Sequence, residues 1–283
     1  MNRGRELLCT NRVAAAANGM EECRRCCGGH GYLQSSGLVL SSGFYVQSCT
    51  AEGENKVIVG QTTRYLLKVM GRAAKGQPLP DNCNHLNASN MKQLHTQRCT
   101  ATTAQDFNNP ELQVEAFRYK AAAAIAQLVQ EQVSAHTPIA GIVISPIALI
   151  QATLRASGMS EPDIWCETLV QVNAAAHAHA HLTVVRNFAL RLSQLQSGSC
   201  NYMGHNEISA LDDMRNLFAL HLILSDLTPW LLAGYMTAEQ VGMIRSQYKA
   251  AMARARVNAV ALCDAWDHTD MVRNDAIVPQ MRV

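Results

Sequence analysis

Apolar residues recur along this chain mainly at the three- and four-residue spacings of helix faces. A helix is predicted over 3–27, stopping at Gly28-Gly29, where positive φ becomes easy. A shorter helix is predicted over 38–47, a turn over 48–53, and a longer helix over 54–74 that Gly76 ends. Val57, Ile58, Gln61, Tyr65, Leu66 and Val69 are expected to line one face of that longer helix. From Glu111 a second helical unit begins. Leu112, Ala116, Tyr119, Ala123 and Ala126 mark its buried stripe, with Phe117, Ala121, Ala124 and Leu128 beside them. The next long helix starts near Ser160, a good cap, tolerates Pro162 in its first turn, and runs to about Leu195. A third covers 207–224. The last opens on Thr237 with Gln240 three residues on, a capping-box pattern, and Val241, Ile244, Tyr248, Ala251, Ala255 and Leu262 line its inner face. Trp266 is expected to anchor its end by packing. Four long helices joined by loops predict an all-α protein built of antiparallel helical bundles.

Residues 77–110 change character. Pro78, Pro80, Asn82, Asn84, Asn87, Asn90 and Pro110 favour turns, and no apolar period persists. The expected division is therefore 1–76, a linker over 77–110, and a helical domain over 111–283.

Composition narrows the function classes. Apolar residues make up 48% of the chain and charged ones 16%, which argues against wholesale disorder. Runs of alanine support helices that approach closely. A net charge of +2 provides no basic stripe, so no nucleic-acid partner is expected. No apolar run reaches the roughly 18–20 residues of a membrane span; the longest, 139–154, is interrupted by Pro146. Nothing at the N-terminus has the order of a signal peptide, and the last residues are not a Ser-Lys-Leu address. Ten cysteines without a regular framework fit a reducing compartment. Cys23, Cys26 and Cys27 contain one C-x-x-C, but no second pair follows at zinc-ribbon spacing, and small thiols near a turn are the plainer reading.

Three features carry candidate chemistry. Gly28-Gly29-His30-Gly31-Tyr32 lets backbone amides approach a phosphate, or else simply closes a helix in a tight turn. Glu52, in Ala51-Glu52-Gly53-Glu54-Asn55, is either an ordinary acidic helix start or a base. Val46, Cys49, Val57 and Ile58 nearby would desolvate such a base and raise its pKa. His177 and His181 share a helix face while His179 points elsewhere; packed histidines fit better than a metal site, because the glutamate of H-E-x-x-H is absent. No metal is expected.

Taken together these pieces resemble the acyl-CoA oxidase family. The turn from Cys27 to Tyr32 is followed in order by Ser36-Gly37-Leu38, Tyr45-Val46, Ser48-Cys49-Thr50-x-Glu52-Gly53-Glu54-Asn55, Gln61-Thr62-x-Arg64 and Leu67-Lys68. Looser similarity runs from Glu115-Ala116-Phe117 through the histidine helix to 259–265. The resemblance implies the end of one C-terminal helical domain, carrying the flavin and acyl-CoA site, plus most of a second. It makes Glu52 the base that removes the α-proton of a fatty acyl-CoA, with FAD as cofactor, trans-2-enoyl-CoA as product and oxygen reduced to peroxide. It also implies that Gly28 and Gly29, with Arg24 and Arg25, contact the FAD of a neighbouring subunit. Peroxisomal fatty acid β-oxidation and a homodimer follow from the same resemblance. The family's N-terminal and β-domains have no counterpart here. The expectation is therefore a fragment or a short product, the alternative being a non-catalytic helical module that pairs with a complete oxidase subunit.

Overall fold

The computed structural model describes residues 3–51, 55–134, 158, 160–198 and 203–266, and among them there is no strand. The chain forms two compact units, one from 1–59 with 259–283 and the other from 60–258.

In the first unit α1 (Arg3–Cys26) packs on α2 (Leu38–Val46) and on the short 3-10 turns around it. The sequence of α2, LVLSSGFYV, is strongly apolar, yet none of its residues is buried. Phe44 and, just before it, Tyr32 are each 77% exposed. This unit also holds the start of α3 (Asn55–Ala74) and the short α11 (Ala259–Asp264). Trp266 follows α11 and is 75% exposed, so it is not the packing anchor expected of it.

The second unit contains most of α3, then α4 (Ala88–Gln93), α5 (Pro110–Ser134), α6 (Glu161–Glu167), α7 (Leu169–Gln196), α8 (His205–Ser225), α9 (Thr228–Leu232) and α10 (Ala238–Val257). Its largest packing surface lies between α5 and α7. Ala116, Ala121 and Ala122 on α5 and Ala175, Ala176, Ala178 and Ala180 on α7 are all buried, and side chains this short let two helices approach closely. Phe117 of α5 meets His181 of α7, and further along α5 Leu128 shares a cluster with Val172, so the two helices run antiparallel. Likewise Asp213 of α8 pairs with Arg254 of α10, while His221 meets Tyr248, which sets α8 against α10. One apolar core gathers Phe107, Phe117, Leu220, Ile223, Trp230 and Ile244; a neighbouring one gathers Leu66, Leu86, Ile125, Leu128 and Val172. The all-α antiparallel bundle is thus present as expected.

Several details differ. On α3 the buried face includes Val59, Thr62, Thr63, Leu66 and Val69, while Val57 is 70% exposed and Gln61 is also exposed. The threonines account for the rotation: the Thr63 hydroxyl donates to the carbonyl of Val172 at 2.6 Å, so a polar position satisfies itself inside the core. The helix expected from Ser160 to Leu195 is divided, because Thr168 (φ −96, ψ 14) leaves helical geometry between α6 and α7.

The segment expected as a linker, 77–110, is folded rather than slack. It carries 3-10 turns at Asp81–Leu86 and Ala104–Asn108 as well as α4. Cys83, Leu86 and Phe107 from it are fully buried. Its turn-forming residues close these turns: Asn87 accepts from the Asn90 amide at 2.8 Å, and Asp106 from that of Thr103 at 2.8 Å.

A polar network ties this segment to the bundle. Gln113 donates to Phe107 O and to Asn216 Oδ1, each at 2.6 Å, and Arg215 donates to Gln113, to Asp212 Oδ1 at 2.6 Å and to Asn108 O at 3.2 Å. Arg215 is 1% exposed, a burial that an arginine tolerates only when its donors are occupied.

Candidate functional site

The glycine turn is built by the end of α1. Cys27 donates its amide to Arg24 O at 3.2 Å, and Gly28 then takes φ +59, the left-handed conformation that stops a helix. Residues Gly28–Tyr32 continue as a 3-10 turn. Gly31 is its buried member: a Cβ there would lie 2.1 Å from Arg24 O. At Gly29 a Cβ would meet nothing within 4 Å, and its φ is ordinary. Gly28 and Gly31 therefore have local reasons to be glycine. Gly29 has none among the described residues, where its backbone is exposed.

The two candidate arginines are held along α1. Arg24 clasps Glu21 with Nε and Nη2, both at 2.7 Å, and Arg25 reaches Glu21 at 2.9 Å and Glu22 at 3.6 Å. The hydrogen bonds from Arg24 and then Arg25 hold the Glu21 carboxyl down at about 2. Arg25 is the more open of the two, its side chain 63% exposed against 24% for Arg24. Its guanidinium stands near the glycine turn in the sequence, but both arginines are engaged with carboxylates on their own helix.

Glu52 lies outside the described residues. What is placed is the chain leading to it: a 3-10 turn at Gln47–Cys49, with the amides of Thr50 and Ala51 donating to Gln47 O at 3.0 and 2.9 Å, and α3 starting at Asn55.

The histidines of α7 divide as their spacing predicts. His177 and His181 line one cleft, whereas His179 stacks on His85 with ring centroids 5.3 Å apart. Burial pushes the pKa of His85 down to about 3 and those of His179 and His181 to about 4; neighbouring cations add to this, Lys120 beside His181 and Arg186 beside His179. His177 is lowered for the same reason, burial first and Lys120 second. Neutral imidazoles are therefore the resting state. Among the described residues no group of three or more His, Cys, Asp or Glu is placed to hold a metal ion, and no helix is long and apolar enough to cross a membrane.

Lys120 escaped the sequence reading. It is 6% exposed, lies 2.8 Å from Asp226 Oδ2, and stands 4.6 Å above the Trp230 ring, whose Nε1 donates to Ala116 O at 3.0 Å. The available signal was a charge placed against the apolar run Ala121–Ala126, and nothing local named its partner.

Comparison with known proteins bears on the whole chain. The family model for acyl-CoA oxidase matches residues 130–277, and the model for the acyl-CoA oxidase C-alpha1 domain matches residues 6–67. Peroxisomal acyl-coenzyme A oxidase 2 of Mus musculus is 33% identical over 268 residues, covering 92% of this chain and 35% of that protein. Arabidopsis thaliana acyl-CoA oxidase 1 superimposes with a TM-score of 0.79 at 27% identity, over 96% of this chain and 36% of that one. Acyl-CoA oxidase-1 of Caenorhabditis elegans, complexed with FAD and ATP, has the same fold at a TM-score of 0.69 and 24% identity, over 97% of this chain and 36% of that one. The chain spans about 35% of the length of the curated relatives it matches.

Proposed function

The chain belongs to the acyl-CoA oxidase family, and on that footing we propose that it forms the C-terminal helical part of an FAD-dependent acyl-CoA oxidase of peroxisomal fatty acid oxidation. In this reading residues 1–76 complete the helical domain that carries the flavin and acyl-CoA site, and 111–283 form the second helical domain together with 77–110, which packs into its cores. The observation that carries it is the ordered set of motifs from Cys27 to Lys68, which falls where the C-alpha1 family model matches. The peroxisomal names of the relatives support the compartment.

Each residue has a role. Glu52 takes the α-proton of a fatty acyl-CoA onto a carboxylate oxygen, and the thioester acidifies that carbon. Val46 and Val57, expected to dry the base, are 51% and 70% exposed in this chain, so its desolvation would come from the substrate, flavin and protein that assemble around it. FAD, when bound, supplies the hydride acceptor and passes the electrons to oxygen. Gly28 and Gly29 present backbone to the flavin nucleotide of a neighbouring subunit, and the open space over Gly29 fits that approach. Arg25, and with it Arg24, adds positive charge once turned from Glu21 and Glu22.

A second reading is favoured by α2, whose apolar residues are all unburied in this chain. An apolar helix left in water is a surface for more protein. In that reading the chain is a helical module that pairs with a complete oxidase subunit and does no chemistry itself.

One experiment separates the two. The purified chain, alone and mixed with a complete oxidase subunit, is assayed for flavin absorbance and for peroxide formed from a fatty acyl-CoA. Bound flavin and turnover that Glu52→Gln abolishes, with flavin retained, support the first reading. Appreciable turnover in Glu52→Gln removes the base assignment. A colourless, inactive chain that co-purifies with the complete subunit supports the second reading.

A further inference from the structure

We propose that the cleft between α5, α7 and α9 binds an amphiphile with a straight apolar chain and a carboxylate head, the head seated at Lys120. The cleft holds about 720 Å³, within the roughly 300–1,000 Å³ of small-molecule sites. Its walls are short or aliphatic: Ala123 and Ala126 from α5, Ala174 and Ala178 from α7, Leu222 from α8 and Leu232 from α9. Ala178 is shared between this groove and the α5–α7 packing, while Ala174 is exposed on its wall. At its rim Val170 is 76% and Leu232 85% exposed, apolar groups that an alkyl chain would remove from water.

The polar groups gather at one end. Lys120 supplies an ammonium with three N–H donors, of which Asp226 takes one at 2.8 Å. Asp226 is half exposed, so water competes for it, whereas the ammonium itself is buried. The buried His181 Nδ1, from a cleft-lining residue, has no hydrogen-bond partner within the described chain; Gln171 Oε1 is likewise unpartnered, and its amide would meet a carboxylate through the NH2 group. The titratable groups facing this end are His95 ahead of α5, Tyr119 and Lys120 on α5, His177 and His181 on α7, and Asp226 after α8. Burial and Lys120 keep the two α7 imidazoles neutral. A cationic head would face Lys120 directly and is disfavoured. None of these residues takes part in the oxidation proposed above.

The test is calorimetric titration of the full chain with decanoate, octanoate and decanol at neutral pH. Saturable one-to-one binding of decanoate is expected, tenfold or more over decanol. Octanoate, two methylenes shorter, should bind roughly tenfold more weakly. Ala174→Trp, at an exposed wall position, should abolish binding with the thermal midpoint unchanged. Lys120→Met should remove the preference for decanoate over decanol. Asp226→Asn, which frees the ammonium without emptying the core, should tighten decanoate, and it serves should Lys120→Met misfold. Absence of saturable binding, equal affinity for decanol, or decanoate binding unchanged by Ala174→Trp each overturns the proposal.

Discussion

A Cβ on Gly31 would stand 2.1 Å from the backbone oxygen of Arg24, inside any allowed contact, so the turn after α1 closes only because residue 31 has no side chain. The neighbouring glycines make different demands. Gly28 needs freedom of φ, and at Gly29 no described residue stands where a Cβ would go.

The three alanine variants should therefore rank themselves. Gly31→Ala must displace backbone and should destabilise most. Gly28→Ala should cost about 1–2 kcal/mol, the penalty of a left-handed residue with a Cβ. Gly29→Ala should stay within about 0.5 kcal/mol. Urea unfolding of the chain measures all three. If Gly29 meets the flavin nucleotide, its variant should weaken FAD binding in the assembled oxidase with stability intact.

Arg215 holds Gln113, Asp212 and Asn108 at once from a nearly dry position. Arg215→Ala strands the buried Gln113 oxygen, while Asp212, 43% exposed, is solvated by water, so the change should cost about 1–3 kcal/mol, the usual penalty of an unpaired buried polar group. A loss below about 1 kcal/mol would show that water reaches the network.

The buried histidines make stability fall in acid. His85, His179 and His181 are neutral in the fold with pKa values of about 3, 4 and 4, against 6.5 when unfolded. Their folded values are depressed, so the unfolded chain binds more protons below pH 6.5. Stability present above that pH should drain between pH 6.5 and 4, by about 1.4 kcal/mol per pH unit for each histidine once well below 6.5. Unfolding free energy measured against pH gives the slope. In His85→Phe, which keeps the stack on His179, the slope should drop by one histidine's share.

The exposed face of α2 should matter to assembly and little to folding. Leu40 and Phe44 are 55% and 77% exposed, so Leu40→Ser with Phe44→Ser should change stability by no more than about 0.5 kcal/mol per site. The same pair should abolish co-purification with a complete oxidase subunit. Undiminished pairing would remove α2 from the interface.

Much of the fold was legible because helix signals are local. Gly28 and Gly76 end their helices at φ +59 and +68, and Thr237 caps α10 in a reciprocal pair with Gln240 at 3.0 and 3.2 Å. The turn-rich stretch after Gly76 was legible as turns but not as packed structure. Asparagine and proline report the path of the backbone, and they say nothing of whether Leu86 and Phe107 find a core.

The candidate site divides in the same way. Gly28 and Gly29 came to notice as a turn and Glu52 as a carboxylate at a helix start, while Arg24 and Arg25 entered only through the family resemblance that the ordered motifs carry. Gly31 did not stand out among its neighbours, because the atom that forbids its Cβ is seven residues back and appears only once the helix has turned.

Helix extents, caps and family membership follow from the order of residues, since their causes act over a few positions. Which face is dry, and which polar groups are safe there, follows from partners far away: Val172 for Thr63, 109 residues on, and Asp226 for Lys120, 106 residues on. Burial makes an unpaired polar group costly, so the assembled bundle, bringing such partners together, sets where Thr63 and Lys120 can be buried.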